Sequence, residues 1–201
     1  IIAPWLDRPL SIAGQAMVET ENGIETRLVD IDRDLALIPN VAIHMNRSIN
    51  ENTSWNVAVD TIPLLGGADG KGKLRALLEE AAGGTLLGAD LYLYVRQRSS
   101  IWGLDNEFIS APGLDNLLCV WGCAQGFLNS GDSAAIPVFA VFDSEETGST
   151  SRQGADSTML STILSRISRC LNLDHDRMLS NSMMVSADMA HALHPNHPEY
   201  A

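Results

Sequence analysis

Three acids crowd the end of an apolar run in "VFAVFDSEETGS", Val138 to Ser149, where Asp143, Glu145 and Glu146 fill three of four consecutive positions. Adjacent glutamates on a loop can point in different directions, one at a metal ion and the other at a water bound to it. That is the division of labour a hydrolytic metal site requires. For an isolated Glu-Glu pair the plainer reading is a solvated acidic turn. Two more acids occupy comparable positions: "APGLDNL" puts Asp115 after a Pro-Gly turn at the start of a helix, and "MMVSADMAHA" puts Asp188 just past another apolar run. Acids at three strand ends or helix starts, on what would be one rim of a sheet, suit a hard or borderline divalent cation, with histidines added when the metal is zinc. On the residues alone, a metal centre and a set of solvated turns both stand.

Other chemistry has less support. His191, His194 and His197 in "HALHPNH" recur every third residue, but Pro195 forbids a continuous helix through them and no glutamate follows the first. The two-ligand face of a His-Glu-x-x-His helix is therefore excluded, and a loop role near a site and ordinary polar packing remain open for each histidine. "GADGKGKL", Gly67 to Leu74, misses the phosphate-loop pattern because Leu74 stands where a magnesium-binding hydroxyl belongs, so it reads as a flexible glycine loop. No Gly-x-Ser-x-Gly is present to supply a serine-hydrolase elbow. His44, in "IPNVAIHMNRSIN", interrupts an apolar run and reads as a histidine satisfied within a strand.

The elements that must position these residues fall into two grammars. From Leu10 to about Arg98 short apolar alternations are broken by turns, with a hairpin predicted at Glu21-Asn22-Gly23 and one helix over "KGKLRALLEEAAGG". From about Ile101 the pattern alternates: helix in "GLDNLLCVWGCAQGFLNS", strand in "AAIPVFAVFD", amphipathic helix in "ADSTMLSTILSRISRCLNL" and strand in "SMMVSADMA". Alternation of this kind predicts an α/β fold with a mainly parallel sheet, whose ligands gather beyond the carboxyl ends of its strands. The predicted division is 1–9, an edge of that domain; 10–98, a β-rich module; and 99–201, part of the α/β domain, with the boundary in "RQRSS".

Composition bounds the partners. Acids outnumber Lys and Arg by 25 to 13, and the formal charge of -12 disfavours nucleic acid and anionic membrane surfaces. No run approaches the roughly 20 apolar residues of a membrane span, so no membrane role and a cytoplasmic location are expected. Cys119, Cys123 and Cys170, odd in number and without Cys-x-x-Cys spacing, read as reduced thiols. The chain starts without methionine, and an excerpt from something longer is expected.

Taken with their neighbours, these acids resemble those of the aspartyl aminopeptidase family of dinuclear zinc metallopeptidases. The matching segments are "WLDRPLSIAG", "IPNVAIHMNRSIN", "SIWGLDNEFISAPGLDNL", "VFAVFDSEETGS", "QGADSTML" and "SADMAHALHPN", in the family's order and across nearly the whole chain. The resemblance implies that Asp115 bridges two zinc ions, that Glu146 and Asp188 each bind one of them, and that Glu145 is the general base acting on the metal-bridging water. Manganese or cobalt are alternative metals. It implies hydrolysis of an N-terminal residue, acidic by preference, from peptides with free N-termini. It further implies that the β-rich segment is a dimerisation domain, that His44 reaches a neighbouring subunit's site to bind substrate, and that dimers assemble into a tetrahedral dodecamer.

The departures are specific. Ser144, Thr147 and Gly113 stand where the family usually has Asn, Val and a basic residue. The family's two zinc-binding histidines come from segments before and after the region present here. A site of three carboxylates without imidazole holds zinc weakly, so this stretch alone is expected to be inactive. The alternative reading is a non-catalytic oligomerisation fragment of such an enzyme with an incomplete metal site.

Overall fold

The computed structural model describes residues 2–200 and divides into two compact units, Ile1–Pro112 and Gly113–Ala201. In the first, β1 (Leu10–Thr20) and β2 (Gly23–Asp30) are followed by a single-turn helix α1 (Val57–Asp60), then α2 (Lys73–Ala82), β3 (Thr85–Val95) and a small hairpin of β4 (Ser100–Trp102) and β5 (Phe108–Ser110). The second holds α3 (Leu114–Leu128), α4 (Met159–Cys170) and α5 (His175–Ser180).

Strands β2, β1 and β3 form one sheet in that order, with β1 central and both of its neighbours antiparallel. The predicted hairpin is present: Thr20 pairs with Gly23, and Thr20 Oγ1 accepts the Asn22 N–H at 3.2 Å while donating to Glu25 Oε1 at 2.9 Å. Gly14 faces Leu91 across the β1–β3 ladder, and a Cβ there would lie 2.1 Å from the Asp90 carbonyl oxygen, so only glycine permits this approach. The β1–β3 register shifts between Met17 and Val18. There α2 supports the ladder, as Glu79 Oε1 accepts the Leu86 N–H at 3.1 Å and pairs with Arg75 at 3.1 Å.

Helix α2 forms where its periodicity predicted and stops at Gly83, whose φ of 66° is the left-handed conformation that ends helices; its N–H returns to Glu79 O at 2.8 Å. The helix lays Leu78 and Ala82 on Ala16, Val18 and Val29, closing one face of the sheet. Arg27 ties β2 to it. Its Nη1 donates to Ala82 O at 2.7 Å and Gly83 O at 3.2 Å, at the negative end of the helix, while its other nitrogens hold Glu25. A second cluster, Leu6, Leu10, Ala36 and Ile38 with Trp55, Leu93 and Val95 against it, sits at the start of β1. The sheet's opposite face leaves Met17, Ile24 and Leu28 exposed.

The mainly parallel sheet expected from the sequence is not what forms. The architecture is α/β with antiparallel sheets, and every ladder between named strands among the described residues is antiparallel. Helices α3 and α4 appear where predicted, but the apolar runs in "AAIPVFAVFD" and "SMMVSADMA" are not strands. A strand exists only with a partner to take its N–H and C=O groups. These runs join no ladder among the described residues, and side chains along them stay open to solvent, Val138 at 49% and Met183 at 87% exposure. His44 is likewise on no strand: it lies in an exposed turn closed by Met45 N–H to Ala42 O at 2.8 Å.

Two outcomes are expected. Gly14→Ala should destabilise the first unit by about 2 to 3 kcal/mol, since the clash is with backbone that cannot swing aside; the shift of the urea midpoint measures it. Hydrogen bonds from Arg27, then from Thr20, hold the Glu25 carboxyl below the usual carboxylate range. That contribution is complete above the ordinary glutamate value of about 4.3 and is lost as pH falls through the lowered one. Urea midpoints taken from about pH 6 to pH 3 should therefore fall less steeply in Glu25→Gln than in the parent.

Candidate metal centre

Asp115 lies at the first turn of α3, with φ -86° and ψ 112°, outside helical values, and its side chain is exposed. The next residue, Asn116, is half-buried, and its Nδ2 donates to Asp188 Oδ1 across 72 positions of sequence. The same oxygen accepts the Met189 N–H at 2.7 Å. The neighbourhoods of Asp115 and Asp188 are thus joined by one amide–carboxylate hydrogen bond. Asn116 Oδ1 is buried and has no hydrogen-bond partner.

Glu145 and Glu146 sit on a turn of their own. Ser144 adopts a φ of 63°, its carbonyl accepts the Thr147 N–H at 3.2 Å and the Ser149 N–H at 3.1 Å, and Gly148 N–H returns to Glu145 O at 2.8 Å. Asp143 caps the turn through Oδ1, which accepts the Ser144 N–H at 2.8 Å, and its own N–H reaches Gln153 O at 3.0 Å. Asp143 is thereby engaged in holding the loop, whereas both glutamate side chains are exposed.

The histidine segment is self-contained. His197 N–H donates to His194 O at 3.1 Å, the two rings lie 5.1 Å apart, and His197 stacks on Tyr200 while its Nδ1 sits 3.0 Å from Glu199 Oε1. The Glu199 carboxyl is held low first by its own backbone N–H and then by His197.

These residues do not form a metal site as they stand. Among the described residues no group of three or more His, Cys, Asp or Glu side chains converges in a way that could hold a metal ion. The donor set named from the sequence contains no imidazole: Asp115 is exposed at the first turn of α3, and Glu146 and Asp188 are exposed outside helices and strands. Two zinc ions do not fit this arrangement.

The model of the family described as "Aminopeptidase I zinc metalloprotease (M18)" matches residues 1–201. The chain belongs to the M18 family. A probable M18 family aminopeptidase 2 from Clostridium novyi is 42% identical over 99% of this chain and 49% of its own length. A chain in the cryo-EM structure of the Ape4 and Nbr1 complex aligns with a TM-score of 0.82 at 33% identity, over 99% of this chain and 44% of that one. The S. cerevisiae mApe1 dodecamer aligns with a TM-score of 0.73 at 27% identity, over 97% of this chain and 47% of that one. The chain therefore spans about half the length of the M18 relatives it matches.

M18 membership bears out the metallopeptidase family and its association with zinc, without separating the aspartyl aminopeptidase subtype from others. The main functional reading, a zinc-dependent aminopeptidase with Glu145 as general base on a metal-activated water, is overturned by the lack of any convergent ligand group among the described residues, which favours the alternative of an incomplete metal site and agrees with the expectation that this stretch alone is inactive. Asn116 went unnoticed in the sequence; its signal was its place beside Asp115 in "LDN". Among the described residues no helix is long and apolar enough to cross a membrane.

Because both glutamate side chains are exposed, the double variant Glu145→Gln, Glu146→Gln should unfold within about 0.5 kcal/mol of the parent. Thermal melts with and without zinc sulfate check this, and a zinc-induced rise in the parent that the variant loses would show an assembled site.

Proposed function

We propose that residues 1–201 act as a non-catalytic assembly portion of an M18 aminopeptidase, carrying an incomplete metal site. The observation that supports this most directly is the pairing of M18 membership over the whole chain with the lack of a convergent metal-ligand group among its described residues. In this reading residues 10–98 supply the dimerisation surface, and residues 99–201 carry the carboxylate part of the metal site. Asp115, Glu146 and Asp188 are its zinc ligands in the complete protein, with two zinc ions per subunit. Glu145 is the adjoining catalytic position, and His44 is a substrate-binding residue presented from the β-rich unit.

The finer features rest on the sequence resemblance: the aspartyl aminopeptidase subtype, peptides with free N-termini as substrates of the complete protein, dimers assembling into a tetrahedral dodecamer, and a cytoplasmic location. The mApe1 dodecamer among the structural relatives favours the assembly. A donor set of carboxylates without imidazole is a poor match for zinc, which favours the non-catalytic reading for this stretch.

Sedimentation of the purified chain alongside zinc calorimetry tests the proposal. A defined oligomer with zinc binding weaker than about 10 μM is expected, far from the affinities of closed structural zinc sites. Tight uptake of two zinc ions per chain, with release of an N-terminal aspartate from a peptide, would overturn it.

A further inference from the structure

From Leu117 to Leu128 of α3, Gln125 is the single side chain with an amide, a hydroxyl or a charge. A helix apolar on every side is one that packing encloses. Yet Leu117, Trp121 and Leu128, aligned along the helix, are exposed, Trp121 at 62%, and the neighbouring row of Leu118, Gly122 and Gly126 is exposed with them. Glycine inside a helix disfavours it relative to alanine, and at both Gly122 and Gly126 an added Cβ would meet nothing within 4 Å. Two glycines one turn apart on an open apolar face form a shelf on which a second backbone can lie close, since the side chains at a contact set how near two elements approach. The extent of exposed surface says how large the occupant is. The chain exposes 15963 Å². Two separate compact domains sharing its mass would together expose about 11,000 Å², so about 5,000 Å² is in excess. A standard interface covers roughly 800 Å² per partner and a large obligate one roughly 1,000–2,500 Å², so a second copy falls short. The M18 relatives carry about as much polypeptide again outside the matched region, which is of the right size.

We propose that the open face of α3, with its Gly122 and Gly126 shelf, is a docking surface for the M18 polypeptide that lies outside the matched region. This rests on the reading of residues 1–201 as a portion of an M18 aminopeptidase. The occupant lays backbone against the shelf and apolar side chains against Leu117, Trp121 and Leu128, enclosing the helix. The two glycines are then explained: their cost to the helix is offset by an approach that larger side chains would prevent.

The test reads the free, exposed thiol of Cys123, beside Gly122 on α3, by its alkylation rate in peptide mass spectrometry. Two molecules are compared: residues 1–201 alone, and a chimera in which they replace the matched region of the Clostridium novyi relative. In the chain alone Cys123 should react as an unhindered thiol, and in the chimera about a hundredfold more slowly. Gly122→Leu combined with Gly126→Leu should leave the helix content of the chain alone undiminished, because the space there is open, and should speed Cys123 labelling in the chimera about tenfold or more. Equal labelling in chain and chimera would overturn the proposal, and so would a double variant whose chimera protects Cys123 as well as the parent chimera does. If the chain alone already protects Cys123 at concentrations where it sediments as an oligomer, a second copy is the occupant, and the docking proposal fails while the assembly reading stands. A monomeric chain whose Cys123 is open, and closes in the chimera, supports docking and counts against the assembly reading alone.

Discussion

Strand β1 is the constraint on which the rest of the ordered packing depends. It is hydrogen-bonded along both edges and covered on one face by α2, and both apolar clusters of the first unit are built on it: Ala16 and Val18 in one, Leu10 in the other. A Cβ at position 14 would strike the Asp90 carbonyl, and Gly14 lets β3 close there. Once β1 and β3 are in register, Leu86 is placed to be gripped by α2, and the end of α2 is placed to be gripped by Arg27. The charged contacts are partly exposed and individually weak, so they act as registration on a framework that burial supplies.

The second unit has no equivalent. Every buried apolar side chain among the described residues lies between Leu6 and Ala82; in 113–200 the buried positions are Gly154 and Ser168. Its order comes from local hydrogen bonds: Asp174 capping α5 through Arg177 N–H at 2.9 Å, the turn around Ser144, and Ser168 Oγ meeting His175 Nδ1 at 3.2 Å between α4 and α5. Local bonds set turns and helix ends but bring distant carboxylates together poorly, because closing long loops costs entropy that buried contacts usually repay. That is why the acids appear on correctly formed turns without converging on one point.

The same distinction decides what could be read from residues alone. The hairpin at Glu21-Asn22, helix α2 with its glycine stop, and helices α3 and α4 were legible because each is specified within a few neighbouring residues. The parallel sheet was not, since "AAIPVFAVFD" and "SMMVSADMA" announce a preference for extended backbone and say nothing about which segment will accept their hydrogen bonds. His44 misled in a related way: its apolar neighbours suggested a strand, whereas Asn40 binds the Val41 N–H through its side chain at 2.9 Å and the chain turns. For the acids, type and spacing were legible but convergence was not. Family resemblance supplied the missing geometry as an expectation that the described residues of this chain do not meet.

Why carboxylates in particular should be left in this condition follows from their solvation. A carboxylate exposed to water is stable without a partner, so Glu145, Glu146 and Asp115 can remain on open turns at no cost to folding. Drawing several of them together without a cation would set like charges against one another and strip their water. A set of carboxylates of this kind is thus one that the bare chain has reason to keep apart, and the neutral amide of Asn116, half-buried at the start of a helix, joins the neighbourhoods of Asp115 and Asp188 without setting another charge beside them.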